Sequence, residues 1–247
     1  MKDDRPDAAE LARKVETLTC ELAARDAFIA VVGHELRNSL APLVLLADHF
    51  DALAASGAAY DPSALPPKVA MLVKNLRKFG TTIDRVTEVA HLREGKLTLH
   101  SSPTDLVAVV QEVARSMQRQ ADAGCAELIV DAPAPVVGTW DRARLVQIVG
   151  NLVSNAIRYG GGGAIDITVR PRANDALLSV RDRGPGLAPA ELDAIFDRFE
   201  HRRPRTAGGF GVGLFVVKTI AAAMGGRATA ENADGGGARF SLILPRG

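Results

Sequence analysis

Two parts of this sequence concentrate side chains able to do chemistry. The first is FIAVVGHELRNSLAPL, where His34 is followed by Glu35, Arg37 and Asn38. Apolar residues around it recur at steps of four and three, so the segment reads as helix. His34 then falls about 200° around from Val32, off the apolar seam and toward solvent. A neutral imidazole so placed can act as a nucleophile through Nε2 when a carboxylate, here Glu35, holds the Nδ1 proton. Asn38 lies one turn further along the same face. Pro42 lacks an N–H, which leaves the carbonyl of Asn38 without its helical partner and invites a bend beneath the site. The competing reading is an ordinary surface histidine.

The second part is four short blocks in the latter half. In DRARLVQIVGNLVSNAIRYG, Asn151 and Asn155 stand one helical turn apart on one face. Their amide oxygens are hard ligands suited to Mg²⁺, and Arg158 and Tyr159, a turn further on, could meet phosphate oxygens. Asparagines on a helix can equally face solvent. In RDRGPGLAP, Asp182 could accept a hydrogen bond from an adenine amino group, with Gly184 and Gly186 letting backbone approach the base; the alternative is a simple turn. IFDRFEHRRPRTAGG carries Phe196 and Phe199 ahead of a basic run, Arg202, Arg203 and Arg205. In GGFGVGLFVVKTI, Gly209, Gly211 and Gly213 precede a helix beginning near Leu214, where backbone N–H groups would point at phosphates.

The elements that must position these groups follow from periodicity. Leu11, Val15, Leu18, Leu22, Ile29, Val32, Leu36, Leu40, Leu43 and Leu46 define one unusually long helix with a coiled-coil-like seam. After a Gly-, Pro- and Asp-containing loop, Gly57 to Pro67, a second seam runs through Val69, Leu72, Leu76, Phe79, Ile83 and Val86. One hairpin cannot bury such a seam, whereas two hairpins make a closed four-helix bundle, so a homodimer is expected. Beyond about residue 95 the pattern changes to short strands and ordinary helices. LTLH, ELIVDA, AIDITVRP, ALLSVRD, RATAEN and ARFSLILP read as strands. Helices are expected near Asp105 to Arg119, Asp141 to Tyr159, Glu191 to Phe196 and Gly213 to Met224. The expected fold is thus a helical hairpin over 1–94 followed by an α/β sandwich domain over 95–247.

Bulk properties narrow the function. With 30 Lys plus Arg against 29 Asp plus Glu, the net charge of +1 makes no case for a nucleic-acid partner. Cys20 and Cys125 lack metal-ligand spacing and read as packing residues in a reducing compartment. No apolar run reaches the roughly 20 residues that cross a bilayer, and the charged N-terminal stretch does not resemble a secretory leader, so a cytoplasmic location is expected.

In this order and spacing, the four blocks resemble the Asn, first glycine, Phe and second glycine boxes of the two-component sensor histidine kinases, which share their ATPase domain with gyrase, Hsp90 and MutL. FIAVVGHELRNSLAPL resembles that family's H box, with Ser39 where proline is usual. The resemblance covers about residues 26 to 245 and implies an enzyme that uses Mg²⁺ and ATP to phosphorylate His34 and passes the phosphoryl group to an aspartate of a response regulator. It implies that Asn155 ligates Mg²⁺ with Asn151 in support, and that Arg158 and Tyr159 contact phosphates. It further implies that Asp182 recognises adenine, while Gly184, Gly186, Phe199, Gly209, Gly211, Gly213 and Leu214 complete the nucleotide site. Glu35 would serve as general base and Asn38 would position a water for dephosphorylating the partner. The hydrolytic relatives carry glutamate where this chain has Asn151, which disfavours a freely hydrolysing ATPase. His201 stands where arginine is frequent. The alternative outside enzymology is a catalytically silent dimeric scaffold.

Overall fold

The sustained apolar seam of the first ninety residues folds as two helices, α1 (Ala8–Ser56) and α2 (Leu65–Arg93). The computed structural model describes residues 8–56, 65–93, 97–192, 194–196 and 212–247. Pro66 and Pro67, which the sequence reading left in the loop, stand instead in the first turn of α2, where backbone N–H groups have no helical partner to lose. Pro42 lies inside α1. Ser39 Oγ meets Thr82 Oγ1 at 3.4 Å, and Lys68 Nζ contacts His49 Nε2. Pairing 39 with 82 and 49 with 68 runs the two helices antiparallel, as a hairpin. Much of its seam stays in water: Leu18 is 52% exposed, Ile29 58% and Leu76 51%.

The chain divides into two compact units, Met1–Glu88 and Val89–Gly247. The second is built on a five-stranded sheet of β2 (Ala126–Asp131), β4 (Gly163–Pro171), β5 (Asp175–Arg181), β6 (Arg227–Asn232) and β7 (Ala238–Pro245), in the order β2-β4-β5-β7-β6. β2 and β4 are parallel and the other pairs antiparallel. Alternation buries one face: Ile165, Ile167 and Val169 on β4, Leu178 and Val180 on β5, Phe240, Leu242 and Leu244 on β7. Helices α3 (Leu106–Ala123), α4 (Arg142–Tyr159) and α6 (Gly213–Ala223) carry the complementary apolar stripes, with α4 packed between the other two. Each fully buried Leu, Ile or Val contributes about 1.5–3 kcal/mol, so this layer is the core that holds the site's elements in place.

Three local departures from expectation have physical reasons. LTLH is not a strand, because the N–H of His100 donates to Asp141 Oδ2 at 2.8 Å. The strand is β1 (Ser102–Asp105), paired antiparallel with the unforeseen β3 (Val137–Trp140). β3 is short and follows a proline-containing stretch; its Trp140 is buried and donates from Nε1 to Pro245 O at 2.7 Å. The helix expected over Glu191 to Phe196 is only α5 (Pro189–Leu192), after which Phe196 turns inward against Phe240, with ring centroids 6.4 Å apart and edge to face.

Candidate functional site

Helix α4 is the spine of the site. Asp141 caps its N-terminus, accepting from Arg144 N at 3.1 Å through Oδ1 and from His100 N through Oδ2. Burial pushes the Asp141 carboxyl up. The N–H groups of His100, Arg144 and Ala143, together with the Arg144 charge, outweigh it and hold the group below its ordinary value. Leu145, Ile148, Val149, Leu152 and Val153 bury one side of α4, which leaves Asn151, Asn155, Arg158 and Tyr159 half-buried at its edge. No hydrogen bond among the described residues engages the amides of Asn151 and Asn155.

Tertiary contacts bring two further elements to opposite ends of this row. At the Asn151 end, α6 begins: a Cβ placed on Gly213 would lie 3.3 Å from Asn151 Oδ1, so the first turn of α6, Leu214 included, abuts that amide. At the Tyr159 end lies the loop after β5. A Cβ on Gly184 would come within 2.4 Å of the Tyr159 carbonyl oxygen and 3.1 Å of Gly160 Cα, so only glycine permits this approach of loop to helix. Asp182 is 4% exposed, and its Oδ1 accepts from Gly184 N at 2.8 Å and from Ala238 N at 3.1 Å. Its own N–H donates to Ala238 O at 3.0 Å. Both side-chain bonds fall on Oδ1, and none among the described residues falls on Oδ2. From Asn151 to Tyr159 is eight residues, about 12 Å along the helix axis at about 1.5 Å each. The row therefore has amides at one end and a carboxylate at the other.

Sequence reasoning missed the residue that holds the glycine loop in shape. Asn232 accepts from Leu187 N at 2.7 Å and donates to Leu187 O at 2.8 Å, matching both main-chain groups as a strand neighbour would. Gly186 sits against that amide at φ +74°, where a Cβ would be 2.7 Å from Asn232 Oδ1. The only sequence signal was an asparagine ending RATAEN, which reads as a turn residue.

Not every expected residue is brought in. His34 and Glu35 lie within α1, and their side chains fall outside the described residues; Asn38 is exposed on the same helix. Phe199, His201, Arg202, Arg203, Arg205, Gly209 and Gly211 also lie outside the described residues. Among the described residues no group of three or more His, Cys, Asp or Glu could hold a metal by itself. A hard cation here would have to share amide oxygens with a ligand's phosphates and with water, which is how Mg²⁺ is usually held. The half-buried amides of Asn151 and Asn155 fit that requirement. Among the described residues no helix is long and apolar enough to cross a membrane.

This row of side chains lies on α4, one of three helices that cover a mixed sheet. Residues 140–247 match the family described as "Histidine kinase-, DNA gyrase B-, and HSP90-like ATPase". Relatives that this chain matches are named as histidine kinases. It is 32% identical over 227 residues to the Sensor-like histidine kinase SenX3 of Mycobacterium tuberculosis, covering 90% of this chain and 54% of the relative. The chain thus spans about half the length of the curated relatives it matches. In structure it resembles the histidine kinase AdeS of Acinetobacter baumannii, with a TM-score of 0.67 at 23% identity over 86% of this chain and 98% of that one. It also resembles the histidine kinase ThkA, solved in complex with the response regulator protein TrrA, with a TM-score of 0.64 at 21% identity over 99% of this chain and 68% of that one.

Proposed function

We propose that this chain is an ATP-dependent protein histidine kinase that phosphorylates its own His34 and passes the phosphoryl group to an aspartate of a response regulator. The observation that carries the reading is the convergence on α4: Asn151 against the start of α6 at one end, Asp182 and Gly184 at the other. In this reading the adenine amino group donates to Asp182 Oδ2, the atom left over by the two backbone bonds to Oδ1. The triphosphate runs along α4 past Arg158 and Tyr159 toward Asn155, Asn151, Gly213 and Leu214. The resemblance assigns Phe199, Gly209 and Gly211, which lie outside the described residues, to the same nucleotide site. Mg²⁺, held by Asn155 with Asn151 in support, supplies charge neutralisation between phosphate oxygens.

For the transfer, Glu35 takes the Nδ1 proton of His34, Nε2 forms the P–N bond, and the bond from the γ-phosphorus to the β-bridging oxygen breaks to leave ADP. Asn151 provides no carboxylate to activate water, which favours transfer over hydrolysis. In the reverse sense, Asn38 positions water for removing phosphate from the regulator. The exposed apolar seams of α1 and α2 support a homodimer in which two hairpins close a four-helix bundle. The complex of ThkA with a response regulator supports a receiver-domain partner here as well.

The test is incubation with γ-labelled ATP and Mg²⁺. Acid-labile, base-stable label is expected on the protein, and it disappears in His34→Gln. Full label on His34→Gln rejects the assignment of His34, and steady phosphate release without protein-bound label rejects the kinase reading.

A further inference from the structure

Among the described residues the helical hairpin holds a buried polar contact that its apolar pattern does not require. Ser39 on α1 and Thr82 on α2 are buried, 5% and 6% exposed, and their hydroxyls are 3.4 Å apart. Among the described residues neither hydroxyl bonds to a carbonyl of its own helix, the usual recourse of Ser and Thr in helices, and each has the other as its partner. Around them the seam is aliphatic and aromatic: Leu36 and Leu43 flank Ser39, and Phe79 and Val86 flank Thr82.

Such a seam specifies register poorly. Sliding α2 by one turn, about 5.4 Å, would bring Phe79 or Val86 to the level of Ser39 and exchange one apolar contact for another. The same slide would part the two hydroxyls and leave each buried against hydrocarbon, at about 1–3 kcal/mol per unsatisfied group. Polar pairs set into apolar helical seams select register in this way, by penalising the alternatives more than by adding stability.

We infer that Ser39 and Thr82 are positioning residues that lock the axial register of α1 against α2, and so set the height at which His34, five residues before Ser39, is presented for reaction. The inference rests on the reading of His34 as phosphoacceptor. The register contact itself does not.

The test is a double-mutant cycle on the full chain, with thermal unfolding, nucleotide affinity and initial labelling rate measured for each variant. Ser39→Ala and Thr82→Val each strand a buried hydroxyl and are expected to lower the melting temperature. Each also slows labelling by about fivefold or more, the ratio matching one lost hydrogen bond, with nucleotide affinity unchanged. The double variant strands nothing, so it regains the melting temperature; having lost the lock, it does not regain the rate. The exchanged pair, Ser39→Thr with Thr82→Ser, keeps both. Recovery of the rate together with stability in the double variant would reduce the pair to a structural contact and overturn the proposal, as would single variants that match the wild type. If the wild type takes no label, the kinase reading fails, while the unfolding cycle still decides whether the pair holds register.

Discussion

Asp182 offers the sharpest separation of structure from recognition, because its two carboxylate oxygens have different work. Oδ1 is committed to Gly184 N and Ala238 N at 2.8 and 3.1 Å. Oδ2 is the atom assigned to the adenine amino group. Asp182→Asn can keep its amide oxygen in the Oδ1 position, preserving both backbone bonds, and then presents N–H donors where the carboxylate accepted. The lost interaction is a hydrogen bond to a charged acceptor, worth about 1.5–3 kcal/mol, or about 10- to 150-fold in ATP affinity. Stability should change little. Asp182→Ala removes the acceptor for two backbone donors as well, each costing about 1–3 kcal/mol if left unmet, so it should lose both binding and melting temperature. An amide at this position also suits a base with a carbonyl in place of the amino group, so Asp182→Asn should narrow the preference for ATP over ITP. Titration with a fluorescent nucleotide, thermal unfolding and competition by ITP measure the three effects. Unchanged ATP affinity in Asp182→Asn would refute the adenine assignment. A melting temperature for Asp182→Ala equal to the wild type would refute the structural role given to Oδ1.

Two further predictions concern the loop that meets α4 and the cap of that helix. Gly184→Ala places a Cβ 2.4 Å from the Tyr159 carbonyl oxygen, so the loop must retreat from α4; overpacking of this kind costs about 1–3 kcal/mol and should weaken nucleotide binding about tenfold or more, read by the same titration. Asp141 is held below its ordinary carboxylate value, so its contribution to stability is present above the unfolded-state value and lost as pH falls through the lower folded one. Asp141→Asn keeps an acceptor for only one of the Arg144 and His100 N–H groups, so it should lower the melting temperature at neutral pH by the equivalent of about 1–3 kcal/mol and flatten the decline below about pH 4, both visible in thermal unfolding across pH.

Short windows of the sequence carry much of the local structure. The spacing of Asn151 and Asn155 puts two amides on one face of α4 whatever surrounds the helix, and the three-four alternation from Leu11 to Leu46 demands a long helix with an unpaid apolar seam. Strand alternation in AIDITVRP and ARFSLILP likewise declared which face is buried, since side chains two apart share a side of any strand. Which partners those side chains meet is set by how the elements pack. That Asp182 spends one oxygen on Ala238, 56 residues away, depends on β7 lying beside β5, and that Asn232 braces Leu187 depends on the loop after β5 passing the end of β6. The meeting of Ser39 with Thr82 depends on how far one helix is advanced along the other. The physical reason is common to all three: a hydrogen bond has a direction and a length of about 3 Å, so its partner is chosen by the packed arrangement of whole elements, which periodicity leaves open.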